Sequence, residues 1–301
     1  MLDSTNNFTA APVDQSDQPL RLMAVHAHPD DESSKGAAVT AKYVQEGIEV
    51  MVVTCTGGER GDVLNAAAQA LVDQHGILQV RQWEMANAAE ILGVRHEWLG
   101  FVDSGFTEGE PLPEDSFALK PLSESVPPLV QLIREFRPQV VTTYDENGGY
   151  PHPDHIQTHV VTMAAVEQAA DPALFPEYGP AFQVSKVYYN QQFHKDRIVA
   201  VHEALLAEGM DSPYVEWLEN WVDKPEDANR ITTKVHAAEF FPIRDAALKA
   251  HATQIEPDGR WFAVPLEIQT KAWPTEDFQL ALSYVDTPQP ENDLFAGIRK
   301  E

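Results

Sequence analysis

The chain has 301 residues, of which 43% are hydrophobic and 23% are charged, an ordinary globular composition that fits one or two domains. Acidic residues outnumber Lys and Arg 47 to 21, so the net charge of −26 disfavours nucleic acid and anionic membranes as partners. A single cysteine excludes a disulfide framework, and the lack of any signal-peptide pattern or membrane-length apolar run indicates a cytoplasmic protein.

Residues 1–20 are polar, acidic and contain prolines, and we expect them to form a disordered tail. Strands and helices then alternate along the chain. The predicted strands are residues 21–26, 48–55, 96–99, 139–144 and 185–189, and the predicted helices are residues 34–46, 73–92, 123–136 and 154–169. This alternation predicts a Rossmann-like α/β fold, in which helices cover both faces of a mostly parallel sheet.

The pattern loosens after residue 190. Short helices are predicted at residues 202–208, 214–221 and 245–251, and strands at residues 261–264 and 278–284. We therefore expect a main domain at residues 21–190 and a smaller C-terminal α+β part at residues 191–301, packed beside the sheet.

The sequence AHPDDE at residues 27–32 directly follows the first predicted strand. Functional sites of parallel sheets lie beyond the carboxyl ends of the strands. Adjacent carboxylates in a turn point in different directions, so one can bind a cation while the other stays free as a base. Asp31 could also simply cap the next helix, so the motif alone leaves a structural role open.

A second polar loop, YPHPDH at residues 150–155, follows the fourth predicted strand. A histidine-rich surface turn is its structural alternative. Because parallel strands end at one edge of the sheet, the fold is expected to bring both loops to one crevice. His and Asp side chains match the ligand preferences of Zn²⁺ with a position left open to water, and such a set also suits Fe²⁺.

The two loops resemble the HPDDE and HPDH signatures of the LmbE/PIG-L family of zinc-dependent N-deacetylases and amidases. The strings HAHPDDESSKGA at residues 26–37, VVTCTGGERGDVLN at residues 52–65 and HATQ at residues 251–254 extend the likeness through most of the chain. The resemblance implies that residues 21–190 are the catalytic domain, with residues 191–301 beside its active site. It also implies one Zn²⁺ per chain, held by His28, Asp31 and His155.

The remaining catalytic roles come from the same resemblance. Asp30 matches the general base that takes a proton from the attacking water. His152 matches the residue that stabilises the oxyanion and protonates the leaving amine, and Asp154 matches a residue that tunes this histidine. Tyr150 matches a mobile tyrosine that helps to polarise the carbonyl. Amide hydrolysis needs these parts, because it requires a strong nucleophile, a stabiliser of negative charge and an acid.

Substrate recognition is also predicted from the resemblance. Arg81 and Asp103 match residues that hold a glucosamine–inositol group, although a helix-surface arginine and a loop carboxylate are equally good interpretations without it. Glu59 and His251 are expected to line the site. Lys35 lies near the start of a predicted helix, where a cation opposes the helix dipole, so we expect it to reach into the crevice instead.

The implied activity is hydrolysis of the amide bond in a thiol conjugate of a glucosaminyl-inositol pseudo-disaccharide. The products would be the free amine and an N-acetylcysteine S-conjugate, which makes the reaction a detoxification step. One alternative is deacetylation of N-acetylglucosaminyl-inositol. An alternative from another class is a non-enzymatic, cation-binding signalling domain, although hard cations prefer oxygen ligands to the histidines of the second loop.

Overall fold

The computed structural model describes residues 18–222, 230–256 and 259–299, so residues 1–17 of the predicted tail lie outside the described residues. Seven strands in the described residues join in one sheet: β1 (Arg21–His26), β2 (Glu49–Thr56), β3 (Arg95–Phe101), β4 (Val140–Thr143), β5 (Lys186–Asn190), β6 (Thr233–His236) and β7 (Thr275–Ser283). Their order is β3-β2-β1-β4-β5-β7-β6. The first five of these run parallel, and β7 is antiparallel to β5 and β6. The predicted α/β fold with a mostly parallel sheet is confirmed.

The helices of the described residues vary from four residues to eighteen. They are α1 (Asp31–Ser34), α2 (Ala37–Gln45), α3 (Gln69–His75), α4 (Ile77–Leu92), α5 (Leu122–Phe136), α6 (Pro153–Ala170), α7 (Lys195–Ala207), α8 (Val215–Glu219), α9 (Phe241–Ala250) and α10 (Leu266–Ala272). None of them is long and apolar enough to cross a membrane.

The core lies on both faces of the sheet. Met23 and Val25 of β1 belong to a cluster of buried side chains shared with α5 and α6. The alternate residue Ala24 belongs to a cluster on the other face, with side chains from α2, α4 and α9. Because both faces are covered, the central strands carry apolar residues without alternation, as the sequence predicts.

Two predicted helices are each divided by a glycine. Gly36, with φ 82°, separates α1 from α2, and Gly76, with φ 80°, separates α3 from α4. A positive φ is readily adopted by glycine and interrupts the regular helix at that residue. The first break matters for the site, because it makes α1 a single short turn that directly follows the AHPD residues.

The C-terminal part extends the sheet, since β7 pairs with β5 and then with β6. Strand β6 and helix α10 are not among the predicted elements. The strand predicted at residues 261–264 is wrong: the chain forms a 3-10 turn at Arg260–Phe262 and then enters α10 through Pro265. The boundary at residue 190 stays a prediction, because one sheet contains strands from both sides of it.

Candidate active site

The two polar loops meet where the strand order reverses. Strand β1 lies between β2 and β4, so the loops after β1 and β4 leave the same edge of the sheet side by side. Oδ2 of Asp31 lies 3.3 Å from Nε2 of His155 and 3.5 Å from Nδ1 of His28. The ring centroids of His28, His152 and His155 lie 4.9 to 5.2 Å apart. The predicted convergence of the loops is therefore present.

The first loop turns sharply at Asp30, whose φ of 118° lies in the left-handed region that favours glycine. The carboxylate of Glu32 stabilises this turn by accepting a hydrogen bond from the backbone N–H of Asp30 at 2.9 Å. The Asp30 side chain is a quarter exposed and faces Nη2 of Arg81 at 3.5 Å. Burial raises the pKa of Asp30 to about 6, while Arg81 opposes the rise and Asp31 adds to it.

Asp31 is held by several donors. Its Oδ1 accepts from Nζ of Lys35 at 2.6 Å, and its Oδ2 accepts from the hydroxyl of Tyr144 at 2.7 Å. Burial raises the pKa of Asp31, but the charges and hydrogen bonds of His155, Lys35 and His28 hold it well below its usual range. Asp31 is therefore an ionised, oriented carboxylate, as a metal ligand must be.

Tyr144 is a site residue that the sequence interpretation missed. It is fully buried, and its hydroxyl accepts from the backbone N–H of Ala27 at 2.9 Å while donating to Asp31. Its ring also stacks on His155, with centroids 4.2 Å apart. One side chain thus fixes a residue of each loop. Its position at the end of the fourth predicted strand was the available signal.

The second loop begins α6. Pro153 occupies the first turn, and Nδ1 of His152 accepts a hydrogen bond from the backbone N–H of Asp154 at 3.2 Å. Nδ1 of His155 lies 3.0 Å from the carbonyl oxygen of Gly148, so its Nε2 is left to face Asp31. A Cβ atom on Gly148 would lie 2.7 Å from that of His155, so this close approach requires glycine.

The carboxylate of Asp154 contacts His28, whereas its contact with His152 runs through its backbone N–H. Its Oδ2 lies 3.2 Å from Nε2 of His28 and accepts from the backbone N–H of Ser104 at 2.9 Å. Asp103 faces the same His28 nitrogen at 3.6 Å. Burial would lower the pKa of His28, but its hydrogen bonds to these acids and to Asp31 raise it well above the ordinary value. The predicted tuning of His152 by Asp154 stays a prediction, because their contact runs through the backbone.

The donor set fits a borderline divalent cation. His28, His152 and His155 each offer a ligand atom within 4.8 Å of one another, and so do His28, Asp103 and Asp154. Oδ1 of Asp154 is buried and has no hydrogen-bond partner in the described residues. Imidazole nitrogens combined with carboxylate oxygens suit Zn²⁺ and Fe²⁺. Neither group contains Asp31, whose Oδ2 lies 3.3 Å from Nε2 of His155 and 3.5 Å from Nδ1 of His28. The assignment of His28, Asp31 and His155 as the ligands therefore stays a prediction.

Two of the predicted substrate-binding residues, Arg81 and His251, are buried and bond to other residues of the protein. Arg81 is 3% exposed, and its guanidinium donates to the carbonyl oxygens of Gly58 at 2.8 Å and of Pro29 at 2.5 Å. His251 is fully buried, and its Nε2 lies 2.7 Å from Oε1 of Glu32. Little of either side chain is open to a ligand, so both hold the first loop in place.

Three other predicted site residues, Tyr150, Glu59 and Lys35, are less buried than Arg81 and His251. Tyr150 is half exposed, and its hydroxyl lies 3.5 Å from Nε2 of His155. Oε1 of Glu59 accepts from the backbone N–H of Asp103 at 3.2 Å, whereas its Oε2 is buried without a partner in the described residues. Nζ of Lys35 donates to Oδ1 of Asp31 at 2.6 Å, and its role in substrate binding stays a prediction.

Comparison with known proteins places these residues in a family. A family model described as PIG-L, GlcNAc-PI de-N-acetylase, matches residues 23–166. The chain is 60% identical over 287 residues to the mycothiol S-conjugate amidase of Streptomyces coelicolor, covering 93% of this chain and 98% of that protein. It is 41% identical over 290 residues to the 1D-myo-inositol 2-acetamido-2-deoxy-alpha-D-glucopyranoside deacetylase of Streptomyces avermitilis, covering 92% and 97%.

Solved structures show the same fold. The N,N'-diacetylchitobiose deacetylase from Pyrococcus horikoshii superimposes with a TM-score of 0.60 at 17% identity, covering 87% of this chain and 84% of that one. A conserved protein from Thermus thermophilus superimposes with a TM-score of 0.55 at 22% identity, covering 89% and 98%. With the 60% identical relative, these findings establish that the chain belongs to the LmbE/PIG-L family.

Proposed function

We propose that this protein is a metal-dependent amidase that cleaves mycothiol S-conjugates. The bond broken is the amide between glucosaminyl-inositol and an N-acetylcysteine that carries a group on sulfur. The observation that carries the proposal is the convergence of His28, Asp31 and His155 beside the partly exposed carboxylate of Asp30, which faces Arg81. A relative that is 60% identical and bears this activity's name supports the choice of substrate. Zinc as the metal and a cytoplasmic location are parts of the proposal.

His28, Asp31 and His155 would hold the cation, which when bound acts as a Lewis acid on the substrate carbonyl. Asp30 lies next to Asp31 and is not among the proposed ligands. Its pKa of about 6 leaves it mostly ionised at neutral pH and still able to carry a proton. It therefore takes a proton from the attacking water, while protonation of the leaving amine stays the predicted role of His152.

His152 stabilises the charge that develops on the carbonyl oxygen. Burial, together with the neighbouring His28 and His155, lowers its pKa to about 4, so it is neutral in the resting enzyme. Because its Nδ1 accepts from Asp154, the single proton of the neutral ring lies on Nε2. That N–H donates to the oxyanion, and the half-exposed Tyr150 hydroxyl approaches from the solvent side.

The five residues predicted to bind substrate, Lys35, Glu59, Arg81, Asp103 and His251, divide into three proposed to contact it directly and two that position the first loop. Lys35, Glu59 and Asp103 are proposed to contact hydroxyl groups of the sugar, because Lys35 bonds to Asp31 and Glu59 bonds to the backbone of Asp103 beside His28. Arg81 and His251 act through the first loop, because Arg81 bonds to Pro29 and His251 bonds to Glu32.

The second candidate is the deacetylase reaction, which the 41% identical relative favours. Both reactions cleave an amide on the glucosamine nitrogen and differ only in the acyl group. The test measures free amine released by the purified, Zn²⁺-loaded chain from an S-conjugate and from N-acetylglucosaminyl-inositol. We expect a higher kcat/KM for the S-conjugate and loss of activity after chelation. A preference for the acetyl compound would select the deacetylase instead.

The same assay separates an enzyme from a cation-binding domain. Asp30→Asn keeps the shape of the side chain and removes its basicity. We expect this variant to keep its metal while its turnover falls by about 10²- to 10⁴-fold, the usual contribution of a general base. Metal binding without turnover in the unmodified protein would favour the non-enzymatic alternative.

A further inference from the structure

A cavity of about 590 Å³ lies among the C-terminal helices. Side chains of α7, α8, α9 and α10 line it, together with Gln192 and Phe193, which follow the end of β5. The cavity therefore lies at the carboxyl edge of the sheet, the edge that also carries the candidate active site. Its volume is in the range of pockets that hold small molecules.

The cavity reaches the short helix that carries Asp31. Ser33 and Ser34 of α1 line its wall. The hydroxyl of Ser34 lies 3.0 Å from Nζ of Lys35, which in turn donates to Asp31. Since an α-helix rises about 1.5 Å per residue, Ser34 lies about 4.5 Å along the axis from Asp31. One helical turn thus separates the cavity from the candidate metal ligands.

Two polar side chains in the cavity wall have unused donors. Gln192 is 5% exposed, and its Nε2 is buried without a hydrogen-bond partner in the described residues. Nη1 of Arg197 donates to the backbone and side-chain oxygens of Gln192, at 3.0 and 3.1 Å, and no described carboxylate lies within ion-pair distance of Arg197. Buried amide donors are rarely left unpaired in proteins, so this wall is suited to a ligand that brings an acceptor oxygen.

Another part of the cavity wall is apolar and consists of aromatic rings. Phe193, Trp217 and Trp261 line the cavity, and each is between 44% and 46% exposed. The centroid of the Phe193 ring lies 6.4 Å from that of Trp217 and 5.7 Å from that of Trp261. Clustered aromatic side chains with this much exposure are uncommon on a soluble protein unless they contact a ligand or partner.

We infer that this cavity is the subsite for the group carried on the sulfur of the substrate, and that it takes aromatic groups bearing an acceptor oxygen. The inference rests on the proposed function. In an amide of cysteine, the sulfur lies three bonds from the carbonyl carbon that is attacked, a span comparable to the single turn of α1. The aromatic wall packs against the ring, and Gln192 and Arg197 donate to its oxygen.

The test compares three synthetic conjugates that differ only on sulfur: S-methyl, S-benzyl and S-(4-carboxybenzyl). Free amine is measured for the Zn²⁺-loaded chain and for three variants. Trp217→Ala removes an aromatic wall and Arg197→Gln removes the guanidinium. Trp83→Ala is the matched control, because Trp83 is 43% exposed on α4 and does not line the cavity.

We expect kcat/KM to rise from S-methyl to S-benzyl to S-(4-carboxybenzyl). Trp217→Ala should lower it for both benzyl conjugates by about 3- to 10-fold, the usual worth of an aromatic contact, and leave S-methyl unchanged. Arg197→Gln should lower it only for the carboxybenzyl conjugate, and Trp83→Ala should change none. Equal rates for the three conjugates, or an equal loss on all of them in Trp217→Ala, would overturn the subsite. Failure to cleave S-methyl at all would instead count against the proposed function.

Discussion

Two clusters of buried charged residues differ in how completely they are paired. In the Glu291 cluster, Oε1 of Glu291 accepts from Nζ of Lys186 at 2.6 Å, and Oε2 accepts from the hydroxyls of Tyr188 and Thr233 at 2.6 and 2.8 Å. In the candidate active site, carboxylates and imidazoles face one another, and Oδ1 of Asp154 is buried without a partner in the described residues.

The difference separates a structural network from a binding site. In the Glu291 cluster one buried cation meets one buried anion, and hydroxyl groups satisfy the remaining lone pairs, so the cluster needs no further partner. In the candidate site, the three carboxylates of Asp31, Asp103 and Asp154 meet the ammonium of Lys35 and the imidazoles of His28 and His155. A divalent cation would balance that surplus of negative charge. Mutations should therefore change activity at one cluster and stability at the other.

The largest effect is expected from His155→Ala. Loss of this proposed ligand should lower both the metal content, measured by elemental analysis, and kcat/KM by about 10³-fold, since a metal ion contributes several kcal/mol to transition-state stabilisation. His159→Ala is the matched control one turn later on α6, where the imidazole bonds to the carbonyl oxygen of Tyr144. Full metal content and activity in His155→Ala would contradict the assignment of a metal-binding role to this cluster.

Lys186→Met should act on stability alone. It leaves the buried carboxylate of Glu291 without its cation, which typically costs about 3–5 kcal/mol of unfolding free energy. Urea unfolding measures this loss, and kcat/KM of the folded variant should equal that of the unmodified enzyme. Arg21→Met is the control, because the Arg21–Glu49 pair is solvent-exposed and contributes less than about 1 kcal/mol. A specific loss of activity in Lys186→Met would contradict the assignment.

Tyr144→Phe tests whether a tyrosine hydroxyl that bonds to a buried carboxylate in the candidate site affects activity more than the same kind of contact elsewhere. We expect a loss of about 10- to 100-fold in metal affinity or kcat/KM, as for other residues that orient a metal ligand. Tyr43 offers a matched control, because its hydroxyl also donates to a carboxylate, Asp293, at 2.7 Å and accepts a backbone N–H, from Leu294, at 2.8 Å. Tyr43→Phe should leave metal affinity and rate unchanged. Similar kinetic losses in both variants would show that general destabilisation is responsible.

The smallest effect concerns pH. Burial would lower the pKa of His251, but Glu32 raises it above the ordinary 6.5, with Asp30 adding to the rise and Arg81 opposing it. Its contribution to stability is therefore fully present below pH 6.5 and is lost as the pH rises through the raised pKa. In metal-free protein, the Tm difference between the unmodified chain and His251→Gln should therefore shrink as the pH rises through that interval. Parallel Tm profiles would contradict this coupling.

Much of the site follows from the sequence because it depends on strand direction. The placement of His28, Asp31 and His155 needs only that β1 and β4 are parallel neighbours, since both loops then leave one edge. The family motifs add the expected chemistry of each residue. Local patterns therefore suffice for the contacts that sheet topology itself creates.

The contacts that the sequence does not reveal depend on side-chain packing between distant segments. Tyr144 is predicted within a strand, but nothing in the sequence places its hydroxyl between Ala27 and Asp31. Arg81 is predicted to contact substrate, whereas the structure buries it against backbone carbonyls. The missed β6 and α10 have the same cause, because neighbouring elements of the C-terminal part support these short segments.

The backbone of Asp30 has a consequence for engineering this protein. A residue other than glycine in the left-handed region costs about 1–3 kcal/mol, and Asp30 accepts that strain with its φ of 118°. Asp30→Gly would relieve the strain and delete the proposed base in one substitution. A laboratory selection for heat tolerance alone would consequently enrich inert variants at this codon, so any such screen should score hydrolysis and melting together.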